Sequence, residues 1–311
     1  MNTPLAYLNG RLQPFTEAAL PLHDAGFVSG ATVVDNARTF RHRLFRWPDH
    51  LARFRRDCSA CYVPLTATDE QLTATAEELV SHNASLLPSG GELQLVTFAT
   101  PGPLGFYLGE ADNGPATLGM VTYPLPFARY RRFFTEGVTL AELQSCESRE
   151  PESILPPTVK HRSRMFWHVA DHKARELTRN PQALAIPLGA QTSLTETGVA
   201  NFLAVIEGVV VSPPRNLILD GISLRVTREL CYALRVPFVE APVTPVDIRR
   251  ASEAMLTGTG FCLAGVRELF PCWVSEMRRF DWPGPVFGKL LAAWSDLVGV
   301  DVASQFTDTG A

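Results

Sequence analysis

The chain has 311 residues, 28 basic and 32 acidic side chains and a formal net charge of -4; that length suggests two domains and a sizeable buried core. With 46% hydrophobic and 19% charged residues the composition is that of an ordinary globular protein, which excludes a disordered chain. The slightly acidic balance, without a basic run, argues against nucleic-acid and anionic-membrane partners.

Of the basic residues 25 are arginine and three are lysine, namely Lys160, Lys173 and Lys289, so chemistry that needs an amine has few candidates. Met1-Asn-Thr-Pro-Leu5 lacks a signal-peptide pattern, and no apolar run approaches about 18 residues. A reducing cytoplasm is therefore the expected setting, with no membrane partner. Six cysteines are spread over the chain. Cys58 and Cys61 continue an apolar stripe with Leu51 and Phe54, which favours packing over a metal or redox role; no second pair stands at zinc-ligand spacing, so no metal is expected.

In chain order, Tyr7-Leu-Asn-Gly-Arg11 predicts a hairpin, because Asn-Gly supplies the positive φ angles of a type I′ turn. A glycine-punctuated segment, 24–34, precedes short strands near 38–40 and 43–46. Pro48 and Asp49 open a helix over 49–62. Thr68-x-x-Gln71 is a capping box for a second helix, and strands at 92–99 and 118–123 complete an α+β domain over 1–124. Pro124-Leu-Pro126 starts a linker, 125–132, before a second domain over 133–305. There, strands are expected at 138–143, 201–206, 209–211 and 254–256, and helices at 163–178, 223–235 and after Thr244. Residues 306–311 read as a frayed tail.

Three loci carry candidate chemistry. Lys160 follows Pro156-Pro-Thr-Val and precedes a helix, a junction from which an amine can point into a cleft and be made nucleophilic by desolvation; a surface lysine beside a helix fits the locus as well. Glu196, in the small-residue turn Thr195-Glu-Thr-Gly198 before a strand, reads as a buried acceptor or as an ordinary turn glutamate. Gly221-Ile-Ser223 feeds a helix whose first amides favour an anion, although Ser223 is equally an N-cap. Thr257-Gly-Thr-Gly260 is a further loop able to hold phosphate or carboxylate.

Taken together, Arg53, Lys160, Glu196, the Gly221-Ile-Ser223 helix start and the Gly258-Thr259 loop occur in an order that resembles the class IV aminotransferases, the fold type IV enzymes that use pyridoxal 5′-phosphate. That family includes branched-chain and D-amino acid aminotransferases and aminodeoxychorismate lyase. The likeness runs from Tyr7-Leu-Asn-Gly10 through Asp24-x-Gly-Phe27, Gly30, His50-Leu-Ala-Arg-Phe54, Asn201-Phe202 and Leu219-x-Gly-Ile222 to Pro283-Gly-Pro285. It implies an α+β chain of two domains, like a D-amino acid aminotransferase, and a homodimer acting on an amino donor and a 2-keto acid. It also implies that Lys160 forms the Schiff base and shuttles the proton, that Glu196 keeps the pyridine nitrogen protonated, and that Arg53 pairs with the phosphate. Gly221, Ile222, Ser223, Gly258 and Thr259 would complete the phosphate cup, with Asn201 fixing the turn.

Departures from the family pattern bear on the substrate. Val34-Asp35-Asn36 replaces an aromatic-Glu pair, Met165 stands where branched-chain enzymes often have tyrosine, and strand 93–98 lacks a carboxylate-binding arginine. Asn36, Arg38, Arg162 and Arg164 are therefore the candidate substrate-binding residues. Amino-group transfer is the leading expectation, pyruvate elimination by an aminodeoxychorismate lyase the alternative, and an inactive binding protein of the same fold the third.

Overall fold

The computed structural model describes residues 3–144, 154–189, 193–272 and 276–308. The chain forms two compact units: residues 1–125 with 159–164, and 126–158 with 165–310.

The first unit contains β1 (Leu5–Leu8), β2 (Arg11–Pro14), α1 (Ala25–Val28), β3 (Val33–Phe40), β4 (Arg43–Leu44), α2 (Trp47–Ala60), α3 (Asp69–Ala84), β5 (Leu93–Thr100) and β6 (Thr117–Pro124). Its strands lie in the order β2-β1-β6-β5-β3-β4, each pair antiparallel. Asn9 and Gly10 turn the first hairpin with φ of 49° and 87°, as the dipeptide predicts. Arg41 and His42 turn the second with φ of 51° and 61°, without any glycine to announce it. The Thr68–Gln71 capping box forms. One sheet face packs against both helices, with Ala37, Leu95 and Met120 meeting Trp47, Leu51, Leu72, Ala76 and Leu79. Burial of each large side chain there contributes roughly 1.5–3 kcal/mol. On the opposite face Phe98 lies across Gly119, an approach that a Cβ at 119 would block.

The second unit contains α4 (Phe127–Thr135), β7 (Val138–Gln144), α5 (Met165–Thr178), β8 (Leu184–Leu188), β9 (Asn201–Ile206), β10 (Val209–Ser212), α6 (Ile222–Ala233), β11 (Phe238–Glu240), α7 (Pro245–Arg250), β12 (Glu253–Gly258), β13 (Cys262–Phe270), β14 (Arg278–Arg279), α8 (Pro285–Val298) and α9 (Ser304–Thr307). Its mixed sheet runs β11-β10-β9-β12-β13-β7-β8, with β14 on β13. Small residues let α5 approach β7 and β8 closely: Ala170 and Ala174 meet Ala141, Ala183 and Ala185. Glu253 accepts the amides of Val286 and Phe287 at 2.9 and 2.8 Å, closing the start of α8.

Two expected boundaries differ. Most of the stretch read as a linker, 125–132, belongs to α4, and its prolines precede the helix rather than break it. The tail is also structured to Thr307, because Phe306 is buried, stacking on Phe134 at 4.5 Å and meeting Phe127 edge-on at 5.3 Å; residues 309–311 lie outside the described set. No helix among the described residues is long and apolar enough to cross a membrane.

Candidate active site

In the first unit, β3 and α2 build the site. Strand alternation sends Val33, Asp35 and Ala37 toward α2, and Asn36 and Arg38 to the other face. Helix α2 answers with two adjacent stripes: Leu51, Phe54 and Cys58 are apolar, while His50, Arg53 and Asp57 are polar yet just as buried. Asp35 accepts from His50 Nδ1 at 2.6 Å and from Arg53 Nε and Nη2 at 2.8 and 3.1 Å. Burial alone would push the pKa of Asp35 up, but Arg53 and then His50 hold it well below the usual carboxylate range. An ionised Asp35 requires the proton of neutral His50 to sit on Nδ1.

His50 itself is kept neutral, mainly by burial; Asp35 opposes this, whereas the charges of Arg53 and Lys160 reinforce it. An unfolded histidine takes up a proton below about pH 6.5 and the folded His50 does not, so the unfolded state binds more protons and acid favours it. Stability should fall as pH drops below that value, by at most about 1.4 kcal/mol per unit from this residue. Urea unfolding between about pH 7.5 and 5.5 should show a shallower decline for His50→Asn than for the unaltered protein. Equal slopes would contradict the assignment.

Lys160 belongs to the first unit because residues 160–163 add a short antiparallel segment beside the start of β3. Val34 N donates to the Lys160 carbonyl at 3.1 Å, Arg162 N to the Thr32 carbonyl at 2.8 Å, and Ser163 Oγ to the Gly30 carbonyl at 2.8 Å, around a Val33–His161 bridge. The Lys160 side chain is half-buried, whereas Lys173 and Lys289 are exposed on α5 and α8. Arg162 is exposed and Arg164 half-buried. On the far face of β3, Arg38 is 2% exposed; its Nε donates to the Thr39 carbonyl at 3.2 Å and its guanidinium lies 3.9 Å above the Phe40 ring. Asn36 Oδ1 is buried with no hydrogen-bond partner among the described residues.

In the second unit, Glu196 is buried and its Oε2 accepts from Asn201 Nδ2 at 3.1 Å and Leu219 N at 3.0 Å. Asn201 Nδ2 also donates to the Leu219 carbonyl at 2.9 Å, so one amide ties the glutamate turn to the loop before α6. A Cβ at 221 would displace the hydrogen-bonded Asn201 side chain, whose Oδ1 occupies that space, so glycine suits the position. Gly221 is itself the N-cap, so α6 starts with no side-chain cap and Ser223 does not serve as one. Thr257, at the end of β12, pairs in register with Asn201, and its hydroxyl is 3.2 Å from Thr227 Oγ1 of α6. Gly258 and the half-buried Thr259 follow at that same end of the sheet. Glu196 is thus tied to the loop before α6, where Gly221, Ile222 and Ser223 stand, and Gly258 and Thr259 follow a strand end that meets α6 through Thr257.

Asp35, His50 and Asp57 are not among the site residues expected from sequence. For His50 and Asp57 the signal lies in three polar residues at 50, 53 and 57, a spacing of one helix face beside an apolar stripe. Met165, at the position where the family resemblance points to tyrosine, is exposed at the start of α5.

Comparison with known proteins gives one consistent result. A family model described as amino-transferase class IV matches residues 32–269. A D-alanine aminotransferase of Listeria monocytogenes serotype 4b (strain F2365) is 22% identical over 293 residues, covering 91% of this chain and 92% of the relative. Among solved structures, a branched-chain aminotransferase from Thermoproteus uzoniensis with norvaline superposes with a TM-score of 0.80 at 23% identity, covering 95% of each chain. A T.th. branched-chain amino acid aminotransferase with pyridoxamine 5′-phosphate has a TM-score of 0.76 at 20% identity, covering 95% of this chain and 94% of its own.

Proposed function

The chain belongs to the class IV aminotransferases, and we propose that it uses pyridoxal 5′-phosphate to move an amino group from an amino acid or amine to a 2-keto acid, with Lys160 as the catalytic amine. The observation that carries this reading is the placement of the three lysines: two are exposed on helices, and Lys160 alone is half-buried on a segment bonded to β3. Pyridoxal 5′-phosphate is also the cofactor whose pyridoxamine form the T.th. relative holds.

The donor groups fit that cofactor. A helix start without a side-chain cap, entered through a glycine with no room for a Cβ, suits a phosphate. A buried carboxylate held by two donors on one oxygen suits a protonated ring nitrogen. When bound, the cofactor supplies an aldehyde for an amine to capture and a ring that accepts electrons from the substrate Cα.

The protein's own residues would then act as follows. Lys160 Nζ would be the amine that holds the cofactor at its aldehyde, and the base that would take the proton from the substrate Cα. Glu196 holds a proton at the ring nitrogen. The amides of Ile222 and Ser223, with the Ser223 and Thr259 hydroxyls, would bind the phosphate, and Gly221 and Gly258 shape the loops that present them; Arg53 is a candidate phosphate partner by resemblance to the family. Asn36, Arg38, Arg162 and Arg164 are the candidates for recognising the substrate, and the unpartnered Asn36 Oδ1 favours a ligand with a donor group. A cytoplasmic homodimer belongs to the same reading. Leu22, Phe27, Phe106, Tyr107 and Leu108 are exposed on two segments joined by the Leu104–His23 hydrogen bond, a surface that a second copy would cover.

A half-reaction tests the proposal. With D-alanine or a branched-chain L-amino acid among the donors offered and no acceptor, the protein should release keto acid in an amount stoichiometric with itself and stop, then resume on addition of a 2-keto acid. If no donor behaves so, and aminodeoxychorismate yields pyruvate and p-aminobenzoate, transfer is refuted.

A further inference from the structure

Asp57 is 1% exposed on α2, one turn beyond Arg53. Its two oxygens have different partners. Oδ2 accepts the backbone N–H of Lys160 at 2.9 Å, across 103 residues of sequence, and Oδ1 accepts from Arg56 Nε and Nη2 at 3.1 and 2.9 Å. Burial pushes the Asp57 carboxyl up, and the Lys160 amide followed by Arg56 pulls it back. A carboxylate in this position is costly to desolvate. Its neighbour Cys58 shows what packing alone requires there, filling an apolar cluster with Val33, Phe54, Val63 and Ala99.

The pairing of 160–163 with β3 shows what the Asp57 contact replaces. In that antiparallel bridge the Lys160 carbonyl and the Arg162 amide point toward β3. A continued ladder would turn the Lys160 amide toward β3 as well, but it leaves the ladder and donates to Asp57 Oδ2 instead. Asp57 supplies its partner; without it the donor nearest the amine would lose this bond.

We propose that Asp57 is a positioning residue for Lys160: its carboxylate clamps the peptide nitrogen of residue 160 against α2 and so fixes the direction in which the amine leaves the backbone. The same helix thereby carries the candidate phosphate arginine and the anchor of the lysine, one turn apart. This inference rests on Lys160 being the catalytic amine, and its first readout does not depend on that.

Amide hydrogen exchange on the full-length protein, resolved to residue 160, is the test. In the unaltered protein the Lys160 amide should be among the slow exchangers; an amide exchanging at the unprotected rate overturns the clamp. In Asp57→Ala its exchange should accelerate about tenfold, and kcat should fall about 10- to 100-fold while KM moves less than about threefold, since the substrate contacts are untouched. Asp57→Asn keeps an acceptor oxygen and should retain the protection and most of kcat. Unchanged protection and kcat in Asp57→Ala, or an equal kcat loss in Asp57→Asn, would overturn the proposal. Should Asp57→Ala fail to fold, the unaltered protein and Asp57→Asn decide it. Turnover surviving in Lys160→Ala would sink the catalytic reading while leaving the exchange result intact, so the two failures are distinguishable.

Discussion

Lys160→Ala should lower the rate of amino-group transfer by about 10⁴-fold or more, because the substitution removes both the covalent amine and the base for the Cα proton. It should do so in a protein that still folds. The segment around residue 160 is held by its backbone, through the Lys160 amide to Asp57 and the Lys160 carbonyl to Val34, and alanine keeps both. The side chain is only half-buried, so the loss of stability should stay within about 1 kcal/mol. Lys160→Arg should be nearly as inactive. It restores the positive charge felt by His50, yet a guanidinium does not deprotonate in proteins to capture a carbonyl. Steady-state rates and urea midpoints on the three proteins check this. An active Lys160→Arg would show that the lysine serves through its charge.

Arg53→Met should be the most destabilising substitution in the first unit, costing about 3–5 kcal/mol, because it leaves Asp35 buried without its main counter-charge. Both side chains are about 2% exposed, and the guanidinium uses Nε and Nη2 to bridge the two carboxylate oxygens. Removal of both members has a different consequence: Arg53→Met with Asp35→Leu should recover much of the stability, since an apolar pair carries no desolvation cost. Affinity for pyridoxal 5′-phosphate should not recover in the double variant. Urea unfolding and cofactor titration followed by protein fluorescence would separate the two effects. A single variant within about 1 kcal/mol of the unaltered protein would mean that the pair contributes little to the fold.

Local chemistry made much of the fold readable in the sequence. The Asn9-Gly10 turn and the capping boxes at Thr68 and Thr244 are set by residues within four positions of one another, and all three form. Where distant contacts decide, the sequence misleads. Helix α4 resembles a linker because Pro124 and Pro126 precede it, but Tyr130 and Phe133 pack on Phe261, and Phe134 on Phe306. The Arg41-His42 turn has no glycine to mark it, and Glu92, just before β5, accepts both of its amides.

The candidate site divides the same way. Lys160, Glu196 and Arg53 are conspicuous through their order along the chain and the family that order resembles. The environment of each is not. Asp35 meets His50 and Arg53 only once β3 and α2 are in register, 15 and 18 residues apart. Asp57 meets Lys160 across 103 residues, and no spacing rule spans that distance. The scarcity of lysine leaves few candidate amines, whereas the carboxylates that hold the arginine and the lysine backbone emerge from the fold.

Whether Lys160 is the amine that captures the cofactor can be read covalently. The full-length protein is incubated with pyridoxal 5′-phosphate and reduced with borohydride, and the modified peptide is mapped by mass spectrometry. A single pyridoxyl group is expected on Lys160, absent from Lys160→Ala. Modification at Lys173 or Lys289 in preference to Lys160, or equal labelling of the alanine variant, would refute the assignment.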